Sequence, residues 1–133
     1  MKIVIAGASG GIGSAFVKAL AARPGIDHIV ATCNRHTSVT DHPRVTWQQL
    51  DLTDEAAITK WAAQLDEIDW LINAAGVLHT PAQGPEKTIR QVDPGFFLEN
   101  MRINALPALL LAKHLHGKFR HARPALFATV SAK

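Results

Sequence analysis

The sequence predicts one α/β domain with a doubly wound parallel sheet, strand order 3-2-1-4-5, in a three-layer αβα arrangement. Short apolar runs rich in β-branched residues alternate with longer segments whose apolar residues recur at helical spacing. The short runs are apolar on both faces, as expected of parallel strands covered by helices. A group of glycines directly follows the first run, which places a strand-to-helix turn near the centre of the sheet.

Length and composition agree with a single globular domain over residues 1–133. Hydrophobic residues make up 47% and charged residues 19% of the chain, a balance typical of soluble folded proteins. No apolar run reaches the roughly 18 residues of a membrane span, and the first strand begins too early for a signal peptide. Cys33 is the only cysteine, so no internal disulfide can form. We therefore expect a cytoplasmic protein without a membrane partner.

The net charge of +3 does not indicate a nucleic-acid partner. The basic residues form no single run, and several of them gather near the end of a predicted helix, where cations are favoured by the helix dipole. The chain has five Phe, three Trp and no Tyr, so it is poorly supplied with side chains on which bases could stack. The seven histidines show no metal-ligand spacing, because even His114 and His116 point to different sides of a helix. We therefore expect neither a nucleic-acid partner nor a bound metal ion.

The first part of the chain predicts three strands, over residues 2–6, 28–33 and 44–50. A helix follows the glycines after the first strand and ends at Pro24-Gly25. Between the second and third strands lies only a short polar loop. The apolar stripe predicted for the helix consists of Ile12, Ala15, Phe16, Ala19 and Leu20.

A second helix begins after the third strand, with Thr53 or Asp54 as its N-cap. Its helical spacing of apolar residues is followed by a fourth strand over residues 69–73. The stripe predicted for this helix consists of Ile58, Trp61, Ala62 and Leu65.

A loop over residues 77–94 leads to a long helix over 95–116 and a fifth strand over 125–131. Pro107 cannot donate a backbone hydrogen bond, so we predict a kink beside Asn104. Asn104 is expected on the inward stripe of this helix, as a buried amide beside the disturbed turn that can hydrogen-bond to further partners, including water. The alternative is an asparagine with a purely structural role, whose hydrogen bonds are all made within the core. That stripe is predicted to contain Phe97, Met101, Ala105, Ala108 and Ala112.

The glycine turn Gly7-Ala8-Ser9-Gly10-Gly11-Ile12-Gly13 follows the first strand and opens the first helix. Glycines there permit a tight turn, a close approach of the backbone to a pyrophosphate, and close packing of helix on strand. The helix start then directs free N–H groups at the phosphates. The turn predicts dinucleotide binding. Its spacing can be taken as Gly7-x-x-x-Gly11-x-Gly13 or as Gly7-x-x-Gly10-x-x-Gly13.

Three further motifs give these glycines a family context: Asp51-Leu52-Thr53 after the third strand, Asn73-Ala74-Ala75-Gly76 after the fourth, and Asn104. With them the chain resembles the short-chain dehydrogenases/reductases, and specifically their C-factor-like branch. The resemblance implies a Rossmann-type fold, an aspartate on the adenine ring, and an Asn motif that steadies the sheet and lines the cofactor cleft. Extended relatives that act on nucleotide sugars share the second glycine spacing, but the Asn73 and Asn104 features disfavour an epimerase.

The resemblance also implies the reaction and the site. The family transfers hydride between a nicotinamide and a small-molecule carbonyl or alcohol, and the intact protein is expected to be a homo-oligomer. Asn104 would hold a water in the proton relay. The residues expected to bind the cofactor are Gly7, Ser9, Gly10, Gly11, Ile12, Gly13, Asn34, Arg35, Asp51, Leu52, Asn73, Ala74, Ala75 and Gly76, and the catalytic candidates are Asn104 and Ser131.

The end of the second strand bears on the choice between NAD and NADP. An acidic residue there would accept from the 2′-hydroxyl of the ribose, whereas an arginine accommodates a 2′-phosphate. Residues 32–36 contain no Asp or Glu but do contain Arg35. NADP(H) is therefore predicted over NAD(H), the alternative being that Arg35 is an ordinary exposed loop residue.

The catalytic set of the family is not complete in this chain. Its tyrosine acts as acid or base beside a lysine in a Tyr-x-x-x-Lys motif, and the chain contains no tyrosine. Lys133 has no tyrosine four residues before it. Ser131 occupies either the catalytic serine position or the non-catalytic first place of a serine pair, or it is a strand-end serine that bonds only to backbone.

Two explanations of the missing motif are open. The chain is either the N-terminal part of a longer enzyme, with the later strands absent and no activity of its own, or a complete module that binds a dinucleotide without chemistry. Leucines around the last helix favour the first, because they need more cover than five strands and three helices supply. These are Leu109, Leu110, Leu111 and Leu115.

Overall fold

A five-stranded, fully parallel sheet lies at the centre of the computed structural model, in the order β3-β2-β1-β4-β5. This confirms the predicted 3-2-1-4-5 order. The structure describes residues 1–35, 41–77, 84–119 and 123–131, so His36, the last residue of the stretch predicted to meet the ribose, lies outside the described residues. The strands are β1 (Lys2–Ala6), β2 (His28–Cys33), β3 (Val45–Gln49), β4 (Trp70–Asn73) and β5 (Leu126–Thr129).

Within the described ranges, four α-helices connect these strands, with two short 3-10 turns at Ile89–Gln91 and His116–Lys118. No helix of the described part is long and apolar enough to cross a membrane. The α-helices are α1 (Gly11–Ala21), α2 (Glu55–Gln64), α3 (Pro94–Asn104) and α4 (Leu106–Leu115).

The sheet separates two apolar cores. Ile3 and Ile5 of β1 face α1, whereas Val4 and Ala6 face α2 and α4. This alternation follows from the period-two geometry of a strand, which sends successive side chains to opposite faces. All four side chains are buried. The three-layer arrangement is thus as predicted, and β1 is covered on both faces.

The buried face of α1 is rotated from the predicted stripe, and only Leu20 belongs to both. Gly13, Val17, Leu20 and Ala21 are buried, whereas Ile12 is 56% exposed. The cause is Gly13, which packs so closely on the glycine turn that a Cβ there would lie 2.7 Å from the Cα of Ala8. That contact fixes the rotation of the helix about its axis. The predicted stripe members Ala15 and Ala19 are therefore exposed and Phe16 is only partly buried.

Helix α2 matches its prediction. Asp54 is the N-cap, and its side chain accepts a hydrogen bond from the N–H of Ala57 at 3.1 Å. Ile58, Trp61 and Ala62 are buried, and Leu65 packs against the same core.

The predicted long helix is divided into α3 and α4 at Ala105. Pro107 lies in the first turn of α4, where a missing N–H costs nothing, and the chain leaves helical pairing just before it. The kink predicted beside Asn104 is confirmed, since Asn104 is the last residue of α3. A single helix over 95–116 was wrong.

The inward face of α3 and α4 was also predicted wrongly. Phe97 is 55% exposed, Met101 is 48% exposed, and Asn104 is exposed rather than buried. Ala105, Ala108 and Ala112 are only half-buried. On α4, leucines take the core positions in place of Ala108 and Ala112, because they remove more apolar area from water. The buried residues are Phe96, Pro107, Leu110, Leu111 and Leu115.

Of the four leucines expected to lack cover on α4, Leu109 is 68% exposed, whereas Leu110, Leu111 and Leu115 are buried. The expectation that leucines all around the helix lack cover was therefore wrong. Exposed apolar side chains are instead found on β5, at the edge of the described sheet. Leu126, Phe127 and Val130, on and just after that strand, are 41%, 39% and 38% exposed.

Candidate functional site

A cleft of about 610 Å³ opens at the carboxyl ends of the strands. It lies where the chain reverses its direction of travel across the sheet, with β2 on one side of β1 and β4 on the other. Ligands of open α/β sheets bind at such a switch point. Its walls are the glycine turn, the end of β2, the β3–α2 turn, the loop after β4 and one face of α3.

Gly7 lines this cleft, and its backbone has a conformation that only glycine adopts readily. Its φ is +72°, and a Cβ there would lie 2.6 Å from the backbone N of Ala75. The turn is anchored to β2 because the N–H of Ala8 donates to the carbonyl of Thr32 at 2.8 Å. The loops after β1 and β4 thus touch through Gly7, which leaves no room for a side chain.

Gly10 and Gly11 are in open space by comparison. A Cβ on Gly10 would lie 3.6 Å from the nearest atom, the carbonyl O of Gly7, and one on Gly11 would meet nothing within 4 Å. Gly10 lines the cleft; Gly11, Ile12 and Gly13 are not among its lining residues. The crowded glycines, Gly7 and Gly13, are common to both predicted spacings, so packing within the chain does not choose between them.

The first turn of α1 is suited to an anion. Its N-cap is Gly10, which provides no side-chain hydrogen bond, and the first turn has no acidic residue. By contrast, α2 and α3 are capped by the carboxylates of Asp54 and Asp93, which accept from backbone N–H groups. No side chain in the described part of the chain caps the first N–H groups of α1, so these groups can donate hydrogen bonds to a phosphate.

The residues of the Asn73–Gly76 motif have two different roles. Asn73 is 1% exposed; its side chain donates to Thr129 Oγ1 at 3.1 Å and accepts from the N–H of Ala75 at 3.2 Å. It therefore joins the ends of β4 and β5 and shapes the loop, without lining the cleft itself. Ala74, Ala75 and Gly76 are lining residues.

Asn104 reaches the same loop from the end of α3. Its Oδ1 accepts from the N–H of Val77 at 2.7 Å, and its Nδ2 donates to the carbonyl of Val77 at 2.9 Å. The pair ties α3 to the loop after β4. An amide side chain has a second N–H and a second lone pair, so this arrangement leaves capacity for a further partner. Asn104 is not a lining residue of the cleft.

Asp51 lines the cleft and forms a tight turn with Thr53. Its Oδ1 accepts from the N–H of Thr53 at 2.8 Å and from the Thr53 hydroxyl at 2.7 Å. These two hydrogen bonds, with a smaller contribution from the Arg102 charge, lower the pKa of Asp51 against the opposing effect of burial. The side chain is thus a carboxylate at neutral pH and an acceptor for donors in the cleft.

Asn34 and Arg35 line the cleft beyond the end of β2, where both are exposed. Cys33, just before them, is buried, and burial raises the pKa of its thiol. Ser131 is exposed just after β5 and is not among the lining residues. Ten of the predicted cofactor residues line the cleft: Gly7, Ser9, Gly10, Asn34, Arg35, Asp51, Leu52, Ala74, Ala75 and Gly76.

Sequence reasoning missed several lining residues. The most consequential is Arg102 of α3, which donates to Glu99 in two hydrogen bonds and to Thr53 in a third. A Glu and an Arg three apart on a helix are a recognisable pair, but the rotation of α3 decides whether they face a cleft. The missed lining residues are Thr32, Leu50, Thr53, Val77, Glu99, Arg102, Ile103 and Pro107.

No group of three or more His, Cys, Asp or Glu capable of holding a metal occurs in the described ranges. His114 instead contacts Glu55, with His114 Nε2 lying 2.8 Å from Glu55 Oε1.

Comparison with known proteins identifies the family. The sequence model of the NAD dependent epimerase/dehydratase family matches residues 3–92, more than half of the chain. The chain belongs to this family. No curated protein matches it.

Solved structures of short-chain dehydrogenases/reductases share the fold of this family member. One from Burkholderia multivorans, with bound NADP, has 26% identity and a TM-score of 0.82 over 98% of this chain and 58% of its own. A short-chain alcohol dehydrogenase from the same organism has 26% identity and a TM-score of 0.79, covering 98% and 61%. NADPH-bound carbonyl reductase from chicken fatty liver has 25% identity and a TM-score of 0.75, covering 88% and 47%.

These matches confirm the predicted resemblance to the short-chain dehydrogenases/reductases and the Rossmann-type fold. The assignment to the C-factor-like branch stays a prediction. The chain spans only about half to three fifths of the length of the structures that it matches.

Proposed function

We propose that this chain provides the cofactor-binding part of an NADP(H)-dependent oxidoreductase that transfers hydride between the nicotinamide and a carbonyl or alcohol. The observation that carries the proposal is the cleft itself. Its base is a glycine turn where a side chain at Gly7 would collide with Ala75, and the uncapped start of α1 adjoins it. This base is suited to a pyrophosphate, because no side chain of the described residues caps the first N–H groups of α1.

The residues present fit a dinucleotide from end to end. The turn and the first N–H groups of α1 would receive the pyrophosphate. The Asp51 carboxylate would accept from the amino group of the adenine, and Ala74–Gly76 would pack against the cofactor at the switch point. When bound, the nicotinamide supplies or accepts the hydride.

Arg35 supports NADP(H) over NAD(H). It is exposed in the cleft wall at the end of β2, beside Asn34 and with no carboxylate in the neighbouring β2 residues Thr32 and Cys33. A guanidinium there can form charge-assisted hydrogen bonds with a 2′-phosphate, whereas an NAD site usually offers an acid to the ribose hydroxyls.

The catalytic part of the proposal rests on Asn104 and Ser131. Asn104, at the end of α3, contacts Val77 in the loop after β4 through one N–H and one lone pair of its amide, and the remaining hydrogen-bonding capacity supports a role in holding a relay water. Ser131 follows β5 on the side of the sheet where the strands end. Because the chain contains no tyrosine to act as acid or base, we expect no reductase turnover from these residues alone.

Dissociation constants for NADPH and NADH, measured by calorimetry, test the cofactor assignment. NADPH should bind at least about tenfold more tightly, since a charge-assisted contact is worth roughly 1.5–3 kcal/mol. Arg35→Ala should remove most of this preference by weakening NADPH, with little effect on NADH. Arg90→Ala, an exposed arginine away from the cleft, is the matched control and should retain the preference. Tighter binding of NADH to the wild type would refute the NADP assignment.

A second candidate follows from the family match, whose description includes epimerases and dehydratases. Such a protein would act on a substrate such as a nucleotide sugar while its cofactor stays bound. The two candidates separate in one experiment on the NADP-loaded chain. A rise in melting temperature with UDP-glucose, but not with simple aldehydes or ketones, would favour the epimerase-type reaction.

The third candidate is the non-catalytic or redox-sensing module, which the lack of tyrosine favours. A sensing module should distinguish NADPH from NADP⁺ by at least about tenfold in dissociation constant, because its signal is a difference in binding. Similar constants for the two forms would argue against it.

We further propose a cytoplasmic protein whose intact form is a homo-oligomer, without nucleic-acid or membrane partners. Exposed apolar residues on α3, such as Phe97, support the oligomer.

A further inference from the structure

Four polar side chains form one wall of the cleft and contact each other in sequence. Arg102 of α3 donates through Nε and Nη2 to the two carboxylate oxygens of Glu99, at 2.9 and 3.0 Å. Its Nη1 donates to Thr53 Oγ1 at 3.1 Å, and that hydroxyl is 2.7 Å from Asp51 Oδ1. The network therefore connects α3 to the β3–α2 turn. All four residues line the cleft.

The direction of every hydrogen bond in this network is fixed by chemistry. A guanidinium can only donate, and an ionised carboxylate can only accept. The Thr53 hydroxyl has one hydrogen, so it must donate that hydrogen to Asp51 and accept from Arg102. Arg102 thus occupies the acceptor side of the hydroxyl and reinforces its orientation toward Asp51; without Arg102 that side is open to water or a ligand, and the hydroxyl is held less firmly.

The guanidinium is itself oriented by a two-point contact. The paired bonds to Glu99 fix the plane of the Arg102 head group and leave Nη1 directed at Thr53. The two side chains are 52% and 42% exposed, so their ion pair contributes little to stability. Its effect is geometric.

Asp51 is held on one side only. Both hydrogen bonds from Thr53 go to Oδ1, and Oδ2 accepts none from the residues that the structure describes. We propose that Arg102 is a positioning residue, which through the hydroxyl of Thr53 holds the Asp51 carboxylate with its second oxygen free for the amino group of an adenine ring. The inference rests on the proposed cofactor function of the cleft and adds to it a determinant on α3.

The test compares two dinucleotides that differ only at the base. Nicotinamide hypoxanthine dinucleotide phosphate has a carbonyl oxygen where NADPH has the adenine amino group, so it presents an acceptor to the Asp51 carboxylate. The wild type should bind the adenine form at least about tenfold more tightly, measured by calorimetry on the reduced forms. Arg102→Met and Thr53→Val should each lower that preference by about fivefold or more.

The ratio of the two constants separates positioning from general effects. Loss of the Arg102 charge weakens both anionic dinucleotides alike, and so does any loosening of the fold, so neither moves the ratio. Thr53→Ser keeps the hydroxyl and should keep the preference. Arg90→Met, which removes an arginine away from the cleft, should also leave it unchanged. If Arg102→Met does not fold by circular dichroism, the Thr53→Val and Thr53→Ser pair decides.

The outcomes distinguish this inference from the proposed function. A wild type that binds neither NADPH nor NADH would overturn the proposed function. A wild type that binds NADPH but shows no preference for adenine would overturn the inference alone. The inference also fails if Thr53→Val or a folded Arg102→Met retains the wild-type ratio.

Discussion

Gly11 and Gly13 of α1 differ in their surroundings although both are glycines of the same motif. A Cβ at Gly13 would collide with the backbone of Gly7 and Ala8, whereas one at Gly11 would meet nothing within 4 Å. Gly13→Ala should therefore destabilise the fold by roughly 1–3 kcal/mol, the usual cost of overpacking. Gly11→Ala should be neutral or stabilising by up to about 1 kcal/mol, since alanine restricts the unfolded chain.

Urea denaturation of the two variants measures this difference under one condition. Both carry the same substitution in the same helix, so helix propensity largely cancels between them. Equal unfolding free energies for Gly11→Ala and Gly13→Ala would contradict the close packing of α1 on the turn.

At the residue scale, the side chains near strand ends were predictable from the sequence. Asp51, Asn73 and Arg35 could be placed because each lies at the end of a strand or within two residues of it, so the strand end defines its position. Arg102 and Glu99 could not, because they lie within a helix and face the cleft only through the rotation of α3. The prediction that Asn104 is buried was wrong for the same reason, because it also depended on the rotation of α3.

At the element scale, α2 and α4 are joined through Glu55. Its Oε1 accepts from Lys113 Nζ at 2.6 Å and lies 2.8 Å from His114 Nε2. These contacts lower the pKa of Glu55 below its ordinary value of 4.5, the hydrogen bond from Lys113 being the larger cause. A lowered folded-state pKa stabilises the fold fully above the ordinary value and loses that stabilisation as pH falls through the folded one.

Glu55→Gln should therefore destabilise the chain at pH 6 and make much less difference at pH 3. The measurement is the urea midpoint of wild type and variant at both values. Glu86→Gln is the control, because Glu86 has no ion pair with any described residue. A gap between wild type and Glu55→Gln that is as large at pH 3 as at pH 6 would show that Glu55 acts through something other than its charge.

The spacing of apolar residues along a helix did not always predict which face of that helix is buried. The predicted stripe of α1 was wrong except at Leu20, because alanine and glycine are compatible with either face and the contact of Gly13 fixes the rotation of the helix. In α2 the bulky Trp61 and Ile58 left no such choice, and the prediction held. In α4, Pro107 breaks the helix and changes the phase of every residue after it.

At the scale of the whole molecule, the two edges of the described sheet differ in character. At the β3 edge, Thr46, Gln48 and Gln49 are polar, whereas Leu126 and Phe127 of β5 are apolar and exposed. Adjacent residues of a strand point to opposite faces, so both faces of β5 expose apolar surface. Edges of this kind are prone to pair with other chains.

We expect Phe127→Lys to reduce concentration-dependent association of this chain, followed by light scattering. Thr46→Lys places the same charge on the opposite edge and should change association little. Unfolding free energies should stay within about 0.5 kcal/mol of wild type for Thr46→Lys, as for most surface substitutions. If the two variants associate alike, the β5 edge is not responsible.

The sheet order was the most predictable property of the whole molecule. It follows from right-handed crossovers and from the glycine turn after β1, which needs no knowledge of side-chain packing. The division of the last helix and the exposure of β5 depend on which neighbours cover each face. The sequence of a single element does not contain that information.

The glycine turn has a consequence for how this sequence can vary. Gly7 and Gly13 are crowded by backbone in the folded chain, so selection for folding alone should keep them fixed, and should also keep the residue at Ala75 small. Gly10 and Gly11 are not crowded in this way, so only selection for a bound ligand should preserve them. The two glycine spacings of the wider family therefore differ at the positions where ligand binding, rather than folding, restrains drift.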